Sequence, residues 1–144
     1  MGLSKAIVAI KGNRLNEIDK ISEILNYFED ENLFDKISQT IQFTNGWTIL
    51  QDEEMVFVTE EDLLQELSEE LAIEVFSLII QSTSQTYGFS HFNNGQVRVF
   101  LVQEGDLMGN SGNELDFEQD LKINKDVSEN EILKIAEKLN INII

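Results

Sequence analysis

Thr86-Tyr87-Gly88-Phe89-Ser90-His91-Phe92-Asn93-Asn94-Gly95-Gln96-Val97-Arg98-Val99-Phe100-Leu101-Val102-Gln103 reads as two strands folded back on each other. Both halves are rich in aromatic and β-branched residues, which fit a pleated, half-buried surface. Between them Asn94-Gly95 supplies two residues that tolerate positive φ, as the type I′ turn of a two-residue hairpin requires. With that turn Asn93 faces Gln96, and counting outward pairs Phe92 with Val97, His91 with Arg98, Ser90 with Val99 and Phe89 with Phe100. Side chains alternate between the two faces of a strand. Gly88, Ser90 and Phe92 therefore share one face with Val97, Val99 and Leu101, where the small residues leave room for a helix. Tyr87, Phe89 and His91 share the other with Arg98, Phe100 and Val102.

Just upstream, Glu74 to Gln81 contains Val75-Phe76 and Leu78-Ile79-Ile80 without alternation, which predicts a strand covered on both faces and placed mid-sheet. Lys5 to Lys11 is a further strand, carried by the apolar run Ala6 to Ile10 and stopped by Gly12-Asn13. A second Asn-Gly, at 45–46, separates Thr40-Ile41-Gln42-Phe43 from Trp47-Thr48-Ile49-Leu50. A short helix from Leu33 to about Ser38 followed by a hairpin fits best, with Gly46 as the C-cap of a longer helix as the alternative. Met55 to Val58 reads as one more short strand.

Between these runs the period changes to helical. Leu15, Ile18, Ile21, Leu25 and Phe28 line one face of a helix over 14–28, before Glu29-Asp30-Glu31-Asn32 breaks the pattern. Thr59 is placed to cap a helix whose stripe is Leu63, Leu64, Leu67 and Leu71, which leaves Glu60, Glu61, Glu66, Glu69 and Glu70 on its wet side. Ser128 and Glu131 form a capping box ahead of Ile132, Ile135 and Leu139, and Ile141 and Ile143 close the chain. Glu104 to Lys125 is polar and contains Gly105, Gly109 and Gly112, so it reads as a long acidic loop. The sum is a single α+β domain over 1–144, a mainly antiparallel sheet with helices packed mostly on one face.

The 144 residues suffice for one domain that buries about 68–70% of its unfolded surface. A hydrophobic share of 42% argues for a folded chain despite the charge. Without cysteine there is no disulfide, thiolate metal site or cysteine nucleophile. The few apolar residues before Lys11 are too short a run for a secretory core or a membrane span, and Ala6 stands where a myristoylation signal wants Ser or Thr. A cytoplasmic location without membrane contact is expected.

The formal charge of −17 is unevenly placed. Between Lys36 and Arg98 there is no Lys or Arg, yet that stretch carries Asp52, Glu53, Glu54, Glu60, Glu61, Asp62, Glu66, Glu69, Glu70 and Glu74. Such a field disfavours nucleic acid, whose phosphates are held largely by Lys and Arg, and favours a basic protein. Solubility alone is the plain alternative. The candidate partner-binding residues are Glu60, Glu61, Glu66, Glu69 and Glu70, with Trp47 as an aromatic anchor of the kind interface centres favour, core packing being the other reading of Trp47.

No catalytic or cofactor site is expected. His91, the sole histidine, has no nucleophile in a recognisable spacing, and no serine sits in a Gly-x-Ser-x-Gly context. Asp106, Asn110, Asn113, Glu114, Asp116, Glu118 and Asp120 offer oxygens but miss the EF-hand spacing. The alternative to a binding protein is a small-ligand or metal-binding protein, or an enzyme, using the acidic loop 104–120 with His91.

Gly46-Trp47-Thr48-Ile49-Leu50, the acidic helix with Leu63, Leu67 and Leu71, and Tyr87-Gly88-Phe89 with Asn94-Gly95 and Val97-Arg98 occur in an order that resembles small uncharacterised acidic bacterial α+β domains, some found among toxin-immunity proteins. The resemblance covers about the middle half of the chain. It implies protein binding, with an immunity-type inhibitor of a basic partner as one form, and carries over no catalytic residue.

Overall fold

A computed structural model describes residues 4–26, 31–52, 55 and 57–141. Phe28, Glu29, Asp30, Glu53, Glu54 and Ile143, all named above, and Val56 within the expected strand from Met55 to Val58, lie outside the described residues. Seven strands form one antiparallel sheet: β1 (Ser4–Lys11), β2 (Gln42–Thr44), β3 (Trp47–Gln51), β4 (Val75–Gln81), β5 (Thr86–Asn93), β6 (Gln96–Gln103) and β7 (Asp106–Ser111), in the order β2-β3-β1-β4-β5-β6-β7. The fold is α+β. The unalternating β4 is the middle strand, as its pattern predicts, and only its last residue, Gln81, is not fully buried.

β5 and β6 pair in the expected register, from Asn93 opposite Gln96 to Thr86 opposite Gln103. Asn94 and Gly95 take φ of 52° and 81°, and Asn45 and Gly46 at the β2–β3 turn take 55° and 86°, so both Asn-Gly pairs act as hairpin turns. Gly88 is small for a reason other than helix approach. A Cβ there would stand 2.5 Å from the Phe100 carbonyl oxygen of the neighbouring strand.

The described residues add five helices: α1 (Ile18–Leu25), preceded by a 3₁₀ turn at Leu15–Glu17, then α2 (Leu33–Thr40), α3 (Glu61–Leu71), α4 (Asp116–Leu121) and α5 (Glu129–Leu139). Three of them, α1 to α3, share a core with the face that carries Val8, Ile79, Phe92 and Val99. Where helices mostly on one face are expected, α4 and α5 cover the opposite face, packing with Ile7, Leu78, Phe89 and Phe100. The reason is that both faces of the central strands are apolar, so each needs its own cover.

Two further segments depart from expectation. Met55, Phe57 and Val58 are not strand: the Phe57 and Val58 N–H groups donate to one oxygen of buried Asp52, at 2.8 and 2.7 Å, and dip into the core as a turn. That carboxylate, rather than Thr59, orders the approach to α3, whose N-cap is Glu60 without a side-chain cap bond. The stretch 104–125 is not a long loop, because it holds β7 and α4. Glu104 and Gly105 turn at φ of 52° and 83°, so β6 and β7 are a third tight hairpin with Glu-Gly in place of Asn-Gly.

Candidate functional site

Helix α3 is fixed on the sheet by Leu63, Leu64, Leu67 and Leu71, and Ser68 on the same side places its hydroxyl 2.7 Å from the Ile73 carbonyl and 3.2 Å from that of Phe92 in β5. This anchoring sets the outward face. Glu61, Glu66, Glu69 and Glu70 are exposed and Glu60, at the N-cap, is half-buried. Five of the six expected partner-binding residues are thus on one helix surface or its entry. Among the described residues no ion pair engages any of these five carboxylates.

The acids are not distributed as helix stability prefers. Glu61 and Asp62 stand in the first turn, where the helix dipole favours negative charge, but Glu69 and Glu70 stand in the last turn, which holds no basic residue. Glu66 and Glu70 are four apart and repel on the same face. They line a groove between α1 and α3 with Glu23 beside them and Ile24 and Leu63 as apolar surface. Lys20 is the cation lining it, and its ammonium donates to the Glu70 main-chain carbonyl at 3.4 Å.

Trp47, the sixth expected residue, is not on this surface. It is 3% exposed, its indole N–H donates to the Leu139 carbonyl at 2.9 Å, and Phe76 meets it edge-on with centroids 5.7 Å apart. A carbonyl at the C-terminal end of α5 has no partner within the helix, so the indole satisfies it while locking α5 to β3. As an exposed anchor Trp47 is therefore corrected to a core residue.

His91 does have an acid partner that its sequence neighbours conceal. Its Nε2 lies 2.8 Å from Glu74 Oε2, and its ring stacks on Phe76 with centroids 4.3 Å apart. No hydroxyl nucleophile joins the pair among the described residues. The hollow beside His91 has Arg98, Gly112, Asn113 and Leu115 among its walls and includes neither Asp106 nor Asp116. Asp106 faces Gln103, five residues along β6 from the Arg98 that faces His91, which is about 17 Å at strand spacing. No group of acids and histidine suited to a metal ion occurs among the described residues.

The acids of 104–120 do different work. Glu118 is buried and forms a two-pronged pair with Arg98, Nη2 to Oε1 at 2.6 Å and Nε to Oε2 at 2.9 Å. Nη1 of Arg98 donates to Asn110 Oδ1 and to the Val99 and Ser111 carbonyls, so the guanidinium joins β6, β7 and α4. A signal for this was present: an arginine inside the apolar run Val97 to Val102 must find an acid if it is buried. The remaining acids here, Glu104, Asp106, Glu114, Asp116 and Asp120, are exposed. No protein-family model, curated protein or solved structure matches this chain.

Proposed function

We propose that the protein is a non-enzymatic protein-binding domain whose helix α3 meets the basic surface of a partner, and that it works as an immunity-type inhibitor by covering that surface. The observation that carries this is the exposed acid at the C-terminal end of α3, where Glu69 and Glu70 oppose the helix dipole and, among the described residues, no ion pair engages either carboxylate, Lys20 reaching the Glu70 main-chain carbonyl instead. Acids placed against local stability have a reason outside the fold, whereas acids kept only for solubility have no need of that position. The groove beside α1 adds apolar contact at Ile24 and Leu63 beneath Glu66 and Glu70, which suits Lys or Arg side chains with their aliphatic stems. The inhibitory role itself rests on the resemblance to immunity proteins.

A field of this sign speeds encounter with a basic protein and repels phosphates, so the partner is protein rather than nucleic acid. No helix among the described residues is long and apolar enough to cross a membrane, and the reading takes the site of action as the cytoplasm. The test is to measure association of the proteins encoded by the flanking genes with the wild type and with Glu66→Lys/Glu69→Lys/Glu70→Lys. One basic partner is expected, with a wild-type on-rate that falls as salt rises and is at least about tenfold slower for the variant at low salt. Equal on-rates at low salt would remove α3 from the interface.

A further inference from the structure

The two edges of the sheet are finished differently. At one end β2 is three residues long, and shortness is a common protection against a strand adding to an open edge. At the other end β7 has six residues, Asp106-Leu107-Met108-Gly109-Asn110-Ser111, with no Lys and no Pro, and no strand beyond it among the described residues. Apart from Met108 its β6 side is paired, which leaves the other row of main-chain groups facing outward. It also carries the two most exposed large apolar side chains described, Met108 at 60% and Leu107 at 46%. One irregularity, at the Leu101/Val102 step, leaves Met108 without a partner on β6, and the pairing resumes from Gly109.

We propose that the outer edge of β7 is a docking strand for an extended, basic segment of a partner protein, which adds to the sheet and lays apolar side chains against Leu107 and Met108. Main-chain hydrogen bonds supply affinity in such strand addition, and alternate side chains supply the choice of segment. The charge of the occupant follows from the surroundings. Residues 104–120 contain no Lys or Arg, and their exposed acids, Glu104 and Asp106 at one end of β7 and Glu114 and Asp116 beyond the other, bracket the strand. Glu118 is already matched by Arg98. Lys125 lines a hollow with Gly105 near the first turn, and among the described residues no ion pair engages Glu104, Asp106, Glu114 or Asp116. A second copy of the chain is disfavoured as occupant, because two molecules of charge −17 would bring the same acids together.

This surface does not depend on α3 being an interface. The Arg98 contacts to Asn110 and Ser111 tie the end of β7 to β6 and hold it extended. The probe is a fluorescent six-residue peptide of alternating Lys and Val, compared with its alternating Glu and Val counterpart and with a copy N-methylated at alternate amides. The Lys peptide is expected to bind, to weaken as salt rises, to slow amide exchange over 106–111, and to bind at least about tenfold less well to Leu107→Lys/Met108→Lys. The Glu and N-methylated peptides should bind at least about tenfold more weakly. Unchanged affinity in Leu107→Lys/Met108→Lys, or equal binding of the N-methylated peptide, would overturn the proposal, as would a concentration-dependent dimer that protects 106–111 without peptide. Glu66→Lys/Glu69→Lys/Glu70→Lys should bind the Lys peptide with at most a small loss, and a loss confined to that variant would assign the peptide to α3 and overturn the β7 site.

Discussion

Arg98 and Glu118 face each other across the β6–α4 boundary as a two-pronged pair at 2.6 and 2.9 Å, each less than 5% exposed. The pair is fully engaged, since Glu118 Oε2 also accepts the Leu115 N–H at 2.6 Å. Breaking it leaves a guanidinium buried without a counter-charge. Glu118→Ala should therefore lower stability by about 3–5 kcal/mol, while Arg98→Met/Glu118→Leu should recover most of that loss. Urea unfolding of the three proteins tests both halves. A double variant as unstable as Glu118→Ala would mean that the bonds to Asn110 and Ser111, rather than charge pairing, hold β7 and α4.

The same pair explains why 104–125 resisted reading from sequence. Five of the six β7 residues are exposed, so the strand has no buried alternation to announce it, and its order comes from the β6 ladder and from Arg98. Helix α4 has six residues, too few for a periodic stripe. By contrast the β5–β6 hairpin, central β4 and α3 carry their burial in their spacing and are legible. Of the candidate site, the outward acids of α3 follow from the leucine stripe, but Trp47 did not, because position beside a turn does not say which face of the strand is covered. Nor did Glu74, which reaches His91 only through strand pairing.

The two faces of the β5–β6 hairpin differ in what they cost to empty. Phe92 is 1% exposed beneath the α1–α3 layer, and Phe92→Ala should lose about 3–5 kcal/mol. Leu101 lies on the same face but is only partly buried near the β7 edge, so Leu101→Ala should lose less than about 2 kcal/mol, below the range for fully buried leucine. Denaturant midpoints at equal slope give the comparison. Equal losses would mean that β7 and its surroundings close over Leu101 in solution.

Trp47, the single tryptophan, reports on β3 and α5. With the ring buried, its emission should be that of an apolar site, shifting to the red only on global unfolding, and a partner bound at α3 should leave it unchanged. Trp47→Phe keeps most of the apolar volume but strips the Leu139 carbonyl of its donor, a loss of about 1–3 kcal/mol by thermal or urea unfolding. A loss under about 0.5 kcal/mol would show that water replaces the indole there.

The acids of α3 allow the local cost of its charge to be measured without any partner. Glu61 is in the first turn and Glu69 in the last, both exposed and both free of ion pairs, so replacing either by Lys changes the net charge equally while its effect on the helix dipole has opposite sign. Relief of general repulsion in a chain of charge −17 favours both variants alike. The difference between them isolates position. Glu69→Lys also gains an attractive neighbour three residues back in Glu66 and gives up only an exposed 3.4 Å contact with Gln65. Glu69→Lys should therefore be more stable than Glu61→Lys by about 1 kcal/mol in low salt, with the gap narrowing as salt screens both ends. Urea unfolding at two salt concentrations measures it. If the two variants were equally stable, the acid at the end of α3 would carry no local cost, and its position would give no reason to place a partner there.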